Sequence, residues 1–175
     1  MEPDIQGILY RERFVNEPGI LLDYLQQHAV WDESMAARRT ASYGSAYNYS
    51  QMAYPYRAIP EPLLKVMGDL APAIGFEANN CLINYYPDGR SRMGFHADQT
   101  DILEDGTGIA IVSLGTTRIL HFRSIDNKED IRDFALPAGS LLYMTQEVQQ
   151  HWQHAIPAAD TAGGRMSLTF RRIRP

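Results

Sequence analysis

From Asn80 to the C-terminus the sequence breaks into short strand-like runs with turn signals between them, and this constrains the fold more than any other feature. The runs cover residues 80–86, 109–114, 117–123, 131–136, 140–145, 151–156 and 165–173, with Pro-Asp-Gly, Gly-Thr-Thr, Pro-Ala-Gly and Ala-Gly-Gly among the intervening signals. Two stretches of helical period come first. Glu17-Pro18 opens one, and Ile20, Leu21, Tyr24, Leu25 and His28 recur through Ala29. The other spans 60–75, with Pro62 near its start and Leu63, Leu64, Met67 and Leu70 along it. Residues 8–15 read as a further short strand. Two helices followed by about seven strands in 175 residues predict one α+β domain, residues 1–175, built on a double-sheet jelly roll. Such a roll can hold a ligand between its sheets.

The last run shows what that ligand space could contain. Met166, Leu168 and Phe170 share one parity; Arg165, Ser167, Thr169 and Arg171 share the other. The apolar face packs, and the other presents two guanidiniums and two hydroxyls. Arginine offers a planar fork of donors that matches a carboxylate. Six residues of strand span about 20 Å, so the two arginines address different ends of a pocket. Asn84 and Tyr86 also share a parity, just before the turn at Pro87-Asp88-Gly89.

That turn leads to Met93-Gly94-Phe95-His96-Ala97-Asp98. In an extended segment His96 and Asp98 face the same way and can meet one metal ion. A second histidine would complete two His and one carboxylate, the facial set of non-haem iron. The chain has five histidines. His28 lies on a helix flank, and His121 between Leu120 and Phe122 reads as structural. His151 and His154 are three apart and would face opposite ways in a strand, so one of them can join the site. The strand-end position, just before Ile156-Pro157, favours His154.

Residues 31–58 read as a lid. Tyr43, Tyr47, Tyr49, Tyr54 and Tyr56 put half of the ten tyrosines into this stretch, among Gly, Ser, Ala, Asn and Gln, behind the basic pair Arg38-Arg39. We expect a loop or β-ribbon offering aromatic faces to planar ligands. The alternative is a tyrosine-rich hairpin that packs on the domain. The net charge of −5 gives no global basic field for nucleic acid. One cysteine, Cys81, excludes an internal disulfide and a cysteine-based zinc site, and fits a reducing cytoplasm. No apolar run is long enough to span a membrane, and the N-terminus carries no signal peptide.

Taken in order, these residues resemble the AlkB family of iron- and 2-oxoglutarate-dependent dioxygenases. The pieces are Cys81-Leu82-Ile83-Asn84-Tyr85-Tyr86 with Asp88-Gly89, His96-Ala97-Asp98, Ile111-Val112-Ser113-Leu114-Gly115, Gly139-Ser140-Leu141-Leu142, His151-Trp152-Gln153-His154, and 165–171. The last two look most like the animal DNA-repair members, and Tyr47-Asn48-Tyr49-Ser50 looks like their substrate-reading lid. The resemblance implies a double-stranded β-helix with Fe(II) on His96, Asp98 and His154. It implies 2-oxoglutarate held by Asn84, Tyr86, Arg165, Ser167 and Arg171, with Arg171 on the distal carboxylate and Arg165 nearer the metal. It also implies O2 as oxidant, release of succinate and CO2, and formaldehyde from an N-methylated base.

The chain departs from the pattern at two places. Ser167 stands where the final motif usually has asparagine, and Thr100 where base-repairing members usually have an acid. Thr100 and the net charge favour a small molecule or protein side chain as substrate. The expected lid residues Tyr47 and Tyr49, the pair Arg38 and Arg39, and Arg90 with Arg92 favour an alkylated base in DNA or RNA, read with Thr100 in the substrate pocket. The nucleic-acid reading, in a monomer with no membrane partner, is the expectation carried forward. A metal-free jelly-roll binding module is the reading from a different class.

Overall fold

The computed structural model describes residues 4–34, 38–49 and 52–175, the side chains of Asn48, Tyr49 and Met52 excepted. Its strands are β1 (Ile8–Arg11), β2 (Arg39–Gly44), β3 (Tyr47–Tyr49), β4 (Met52–Tyr54), β5 (Asn80–Tyr86), β6 (Met93–His96), β7 (Ile109–Gly115), β8 (Arg118–Ser124), β9 (Ile131–Leu136), β10 (Leu141–Met144), β11 (Trp152–Ile156) and β12 (Arg165–Arg171). The helices are α1 (Pro18–His28), α2 (Glu61–Ile74) and α3 (Gln146–His151). A six-stranded sheet runs β1-β10-β7-β12-β5-β2, a four-stranded sheet runs β6-β11-β8-β9, and β3 and β4 form a separate ribbon. The strand pairings are antiparallel. This is the expected jelly roll with helices on one sheet.

Both long helices have a proline in the first turn, where a missing N–H costs nothing. α2 ends at Gly75, whose φ of 88° lets its N–H turn back to the Ala71 carbonyl at 2.8 Å. α1 buries Leu21 and Leu25; α2 buries Leu63, Val66, Met67 and Leu70, one stripe at helical spacing. They pack on Ile83, Val112, Leu114, Met166, Leu168 and Phe170 of the large sheet. A second core lies between the sheets, with Ile109, Ile111, Leu120, Phe122, Phe134, Leu136, Leu142 and Ile156. Strand parity thus sends Met166, Leu168 and Phe170 to the helices and turns Arg165, Ser167, Thr169 and Arg171 into the roll, where all four are buried.

Three expectations meet a different or finer arrangement. Residues 39–44, within the expected lid of 31–58, form β2, an edge strand of the large sheet, paired with β5 from Arg39↔Tyr85 to Gly44↔Asn80. Its small residues Thr40, Ala41, Ser42 and Gly44 let the chain lie close, and a Cβ on Gly44 would meet the Asn79 carbonyl oxygen at 2.1 Å. The tyrosines largely join cores: Tyr43, Tyr47 and Tyr54 are buried, while Tyr56 is exposed. Finally, residues 151–156 are not one strand, because His151 closes the short helix α3.

Candidate active site

β6 and β11 are neighbours with His96 opposite His154. A register irregularity between His154 and Ile156 re-aims β6 at this point. Asp98 follows two residues beyond His96. His96 Nε2 is 3.3 Å and His154 Nε2 3.6 Å from Asp98 Oδ1. The three donor atoms lie within 4.8 Å of one another. His151 is exposed at the end of α3 and is not in this group.

The donor set is pre-aimed. His96 Nδ1 lies 2.8 Å from the Gly94 carbonyl, which orients the ring so that Nε2 faces Asp98. The Asp98 backbone N–H donates to Gln149 Oε1 at 2.8 Å, and Gln149 is itself buried on α3. Burial pushes the His154 imidazole down to about 4, with Asp98 opposing and the charges of His96 and Arg171 adding. A neutral imidazole is the form that ligates metal. Burial would push Asp98 up, but the His96 hydrogen bond and the His154, Arg171 and His96 charges outweigh it and hold the carboxyl well below the usual range. For His96, burial lowers the pKa, and the Asp98 and Gly94 bonds raise it further than burial lowers it.

Beside this group a cavity of about 50 Å³ is lined by Asn84, Tyr86, Arg165, Ser167, Thr169 and Arg171, walled by Ile111, Leu120, Leu136 and Ile156. β12 lies between β5 and β7, with Arg165 opposite Tyr86 and Ser167 opposite Asn84. Arg165 donates to Ser113 Oγ at 2.9 Å, and burial pushes its pKa down to about 10. Arg165 Nε and Arg171 Nε and Nη1 are buried without a hydrogen-bond partner. Buried charged donors are ordinarily paired, so this cavity has the donors for a bound anion. The residues present therefore fit both groups: three metal-ligating side chains, and two arginines with donors to spare for a dicarboxylate.

The two arginines stand at the opposite ends from those expected. Arg171 Nη2 is 3.9 Å from Asp98 Oδ2, so Arg171 is the residue at the metal end. Arg165 is at the Tyr86 end, 5.6 Å from that ring. Which end meets the metal depends on how the two sheets cross, and a strand's own sequence does not carry that.

The expected substrate residues also move. Tyr47 is 3% exposed and packs with Tyr54, Leu82 and Ile173, its ring 4.8 Å from the Arg171 guanidinium. Its ring backs the Arg171 guanidinium. The Tyr49 side chain lies outside the described residues. Arg38 and Arg39 do not act as a pair, because neighbours in extended chain point apart. Arg38 turns inward and donates to Asn84 Oδ1 at 2.8 Å, while Arg39 pairs with Glu33 at 3.2 Å. Thr100 is half-buried in a turn, its carbonyl accepting the Leu103 N–H, and does not line the cavity. Gln149 carries no local pattern that marks it, and Ser113, though inside the 111–115 piece, has no sequence signal for its bond to Arg165.

A jelly roll with a two-histidine, one-carboxylate group beside an arginine-lined pocket defines a class of metal-dependent oxygenase folds. The chain belongs to the 2OG-Fe(II) oxygenase superfamily, whose family description matches residues 15–171. It is 32% identical over 149 residues to the mouse protein named DNA oxidative demethylase ALKBH2, covering 79% of this chain and 62% of that one. The human protein of that name is 33% identical over 147 residues, covering 78% and 56%. A rat protein named alpha-ketoglutarate-dependent dioxygenase alkB homolog 3 is 29% identical over 182 residues, covering 92% and 61%. The chain thus spans about three-fifths of the length of these relatives. The solved structure described as OsALKBH1 superposes with a TM-score of 0.75 at 17% identity, over 98% of this chain and 99% of that one. That likeness bears out the fold. No helix among the described residues is long and apolar enough to cross a membrane.

Proposed function

We propose that this chain is an Fe(II)- and 2-oxoglutarate-dependent oxygenase that dealkylates bases in DNA or RNA. The observation that carries the reading is the cavity in which His96, Asp98 and His154 adjoin Arg165 and Arg171, which between them keep three buried donors (Arg165 Nε, Arg171 Nε and Nη1) unpaired. His96, Asp98 and His154 hold the iron. Arg171, with Thr169, faces the end of the co-substrate near the metal; Arg165, with Tyr86, takes the distal carboxylate, and Asn84 and Ser167, opposite each other, face the pocket between them. Ile111, Leu120, Leu136 and Ile156 keep water from the pocket, which strengthens each charged contact. When bound, iron and 2-oxoglutarate supply the oxidising chemistry: O2 is consumed, the keto acid becomes succinate and CO2, and a substrate C–H becomes C–OH. An N-hydroxymethyl base then releases formaldehyde. The nucleic-acid substrate is supported by the relatives named for DNA demethylation. A monomer in the cytoplasm is part of the same proposal, and light scattering tests the first half of it.

A second reading keeps the same centre but hydroxylates a small molecule or a protein side chain. It is favoured by the inward turn of Tyr47 and Arg38, two of the residues expected to meet nucleic acid. One assay separates them. Formaldehyde and succinate are measured over a panel of methylated oligonucleotides; stoichiometric formaldehyde supports the first reading. Succinate that no oligonucleotide stimulates, but that a metabolite or peptide does, supports the second.

A further inference from the structure

Arg118 opens β8 and is 2% exposed, yet its hydrogen bonds go to three backbone carbonyls. It reaches Asp88 O at 3.3 Å, Ser91 O at 2.8 Å and Pro157 O at 2.6 Å. The nearby Asp88 carboxylate is hydrogen-bonded by Arg90, through its backbone N–H and its guanidinium, and acts on Arg118 through space, without a side-chain hydrogen bond between them. A buried cation is normally matched by a buried anion bonded to it; here carbonyl dipoles hold the guanidinium, and the half-buried Asp88, shared with Arg90, is the nearest opposing charge. Its neighbour is Arg165, whose own hydrogen-bond partner is the neutral Ser113 hydroxyl. The two guanidiniums flank one ring: Arg118 is 6.0 Å and Arg165 5.6 Å from the Tyr86 centroid. Each is further placed by backbone, Arg118 by the loop after β5 and Arg165 by the strand that pairs with it. The distal end of the cavity therefore carries two positive charges, and Arg118 does not itself line it.

We propose that Arg118 is a specificity-determining positioning residue, whose fixed charge behind Tyr86 and Arg165 makes the distal end of the pocket selective for keto acids with a second carboxylate. This rests on the co-substrate reading above. The same side chain joins the loop between β5 and β6 to the end of β11, the elements that lead to His96 and from His154. A clamp alone would affect every ligand equally. A charge acts on the ligand's far carboxylate, and that difference can be measured.

The test compares 2-oxoglutarate with 2-oxobutyrate, which lacks the distal carboxylate, binding to the Mn(II)-loaded protein by calorimetry. Arg118→Met is expected to weaken 2-oxoglutarate by roughly tenfold, as expected for loss of one nearby charge at an effective dielectric of about 20. Whatever the lost clamp costs falls equally on 2-oxobutyrate and 2-oxoglutarate, so the ratio of the two affinities is the readout and is expected to fall roughly tenfold, while Arg118→Lys is expected to keep most of the selectivity. Should Arg118→Met not fold, Arg118→Gln, which retains amide donors for the carbonyls, carries the same comparison. Equal loss of both acids, or loss of neither, overturns the proposal if Arg165→Met still lowers the selectivity. If Arg165→Met leaves the selectivity unchanged, the co-substrate reading itself fails.

Discussion

Arg171 and Asp98 form a buried ion pair, Nη2 to Oδ2 at 3.9 Å, so the last residue of the final strand touches the metal group directly. The Tyr47 ring lies against the same guanidinium at 4.8 Å. Asp98 is thus held by two histidines, an arginine and, through its backbone, Gln149. Its neighbours keep it ionised, as a ligand must be.

This relationship separates the two arginines. Arg165→Lys removes the fork at the Tyr86 end, and is expected to raise the Michaelis constant for 2-oxoglutarate by roughly ten- to a hundredfold, from about 1.5–3 kcal/mol per charged hydrogen bond. Iron binding should be intact. Arg171→Lys disturbs Asp98 as well and should weaken both iron and 2-oxoglutarate. Equal iron affinity in the two variants would contradict the assignment of ends.

Tyr47 is predicted to act on stability, not on substrate. Tyr47→Ala opens a cavity among Tyr54, Leu82 and Ile173 and should cost about 3–5 kcal/mol in urea unfolding. It should also slow the substrate-free conversion of 2-oxoglutarate to succinate, because Arg171 loses its support. An oligonucleotide-specific defect with normal stability would return Tyr47 to the role of a base-stacking residue.

Gln149→Leu leaves the Asp98 N–H without its acceptor, a cost of about 1–3 kcal/mol for a buried donor. Metal affinity is expected to fall by roughly ten- to a hundredfold, the usual effect of losing a group that orients a ligand. Equilibrium dialysis against Mn(II) measures it, and an affinity equal to the parent protein's would remove Gln149 from the site.

Cys81 is fully buried on β5 and burial pushes its thiol far up, with Arg171 only partly opposing. The thiolate is the reactive form, so a thiol reagent should modify Cys81 only after unfolding. Reaction of the native protein at the rate of an exposed thiol would show that β5 opens locally.

The parts of this site that were legible in the sequence are those fixed by strand parity. His96 with Asp98, and the alternation from Arg165 to Arg171, follow from a period of two and hold in the structure. The helices followed from their apolar spacing and prolines. What was hidden depends on sheet packing. The run 39–44 looked like a ribbon because small residues and tyrosines carry no clear alternation, yet its partner β5 makes it an edge strand. Arg38 and Arg39 looked like one basic feature until the strand turned them apart. Arg118 and Gln149 act through distant backbone groups, and no local pattern marks a residue for that.

The central claim is that His96, Asp98 and His154 hold one iron beside a bound keto acid. Anaerobic titration of Fe(II) in the presence of 2-oxoglutarate, followed by visible absorption, tests it most directly. A charge-transfer band that requires both components, saturates at one iron per chain, persists in His151→Ala and vanishes in His154→Ala is the predicted result. No band at saturating iron and 2-oxoglutarate, or a band kept by His154→Ala and lost by His151→Ala, would contradict it.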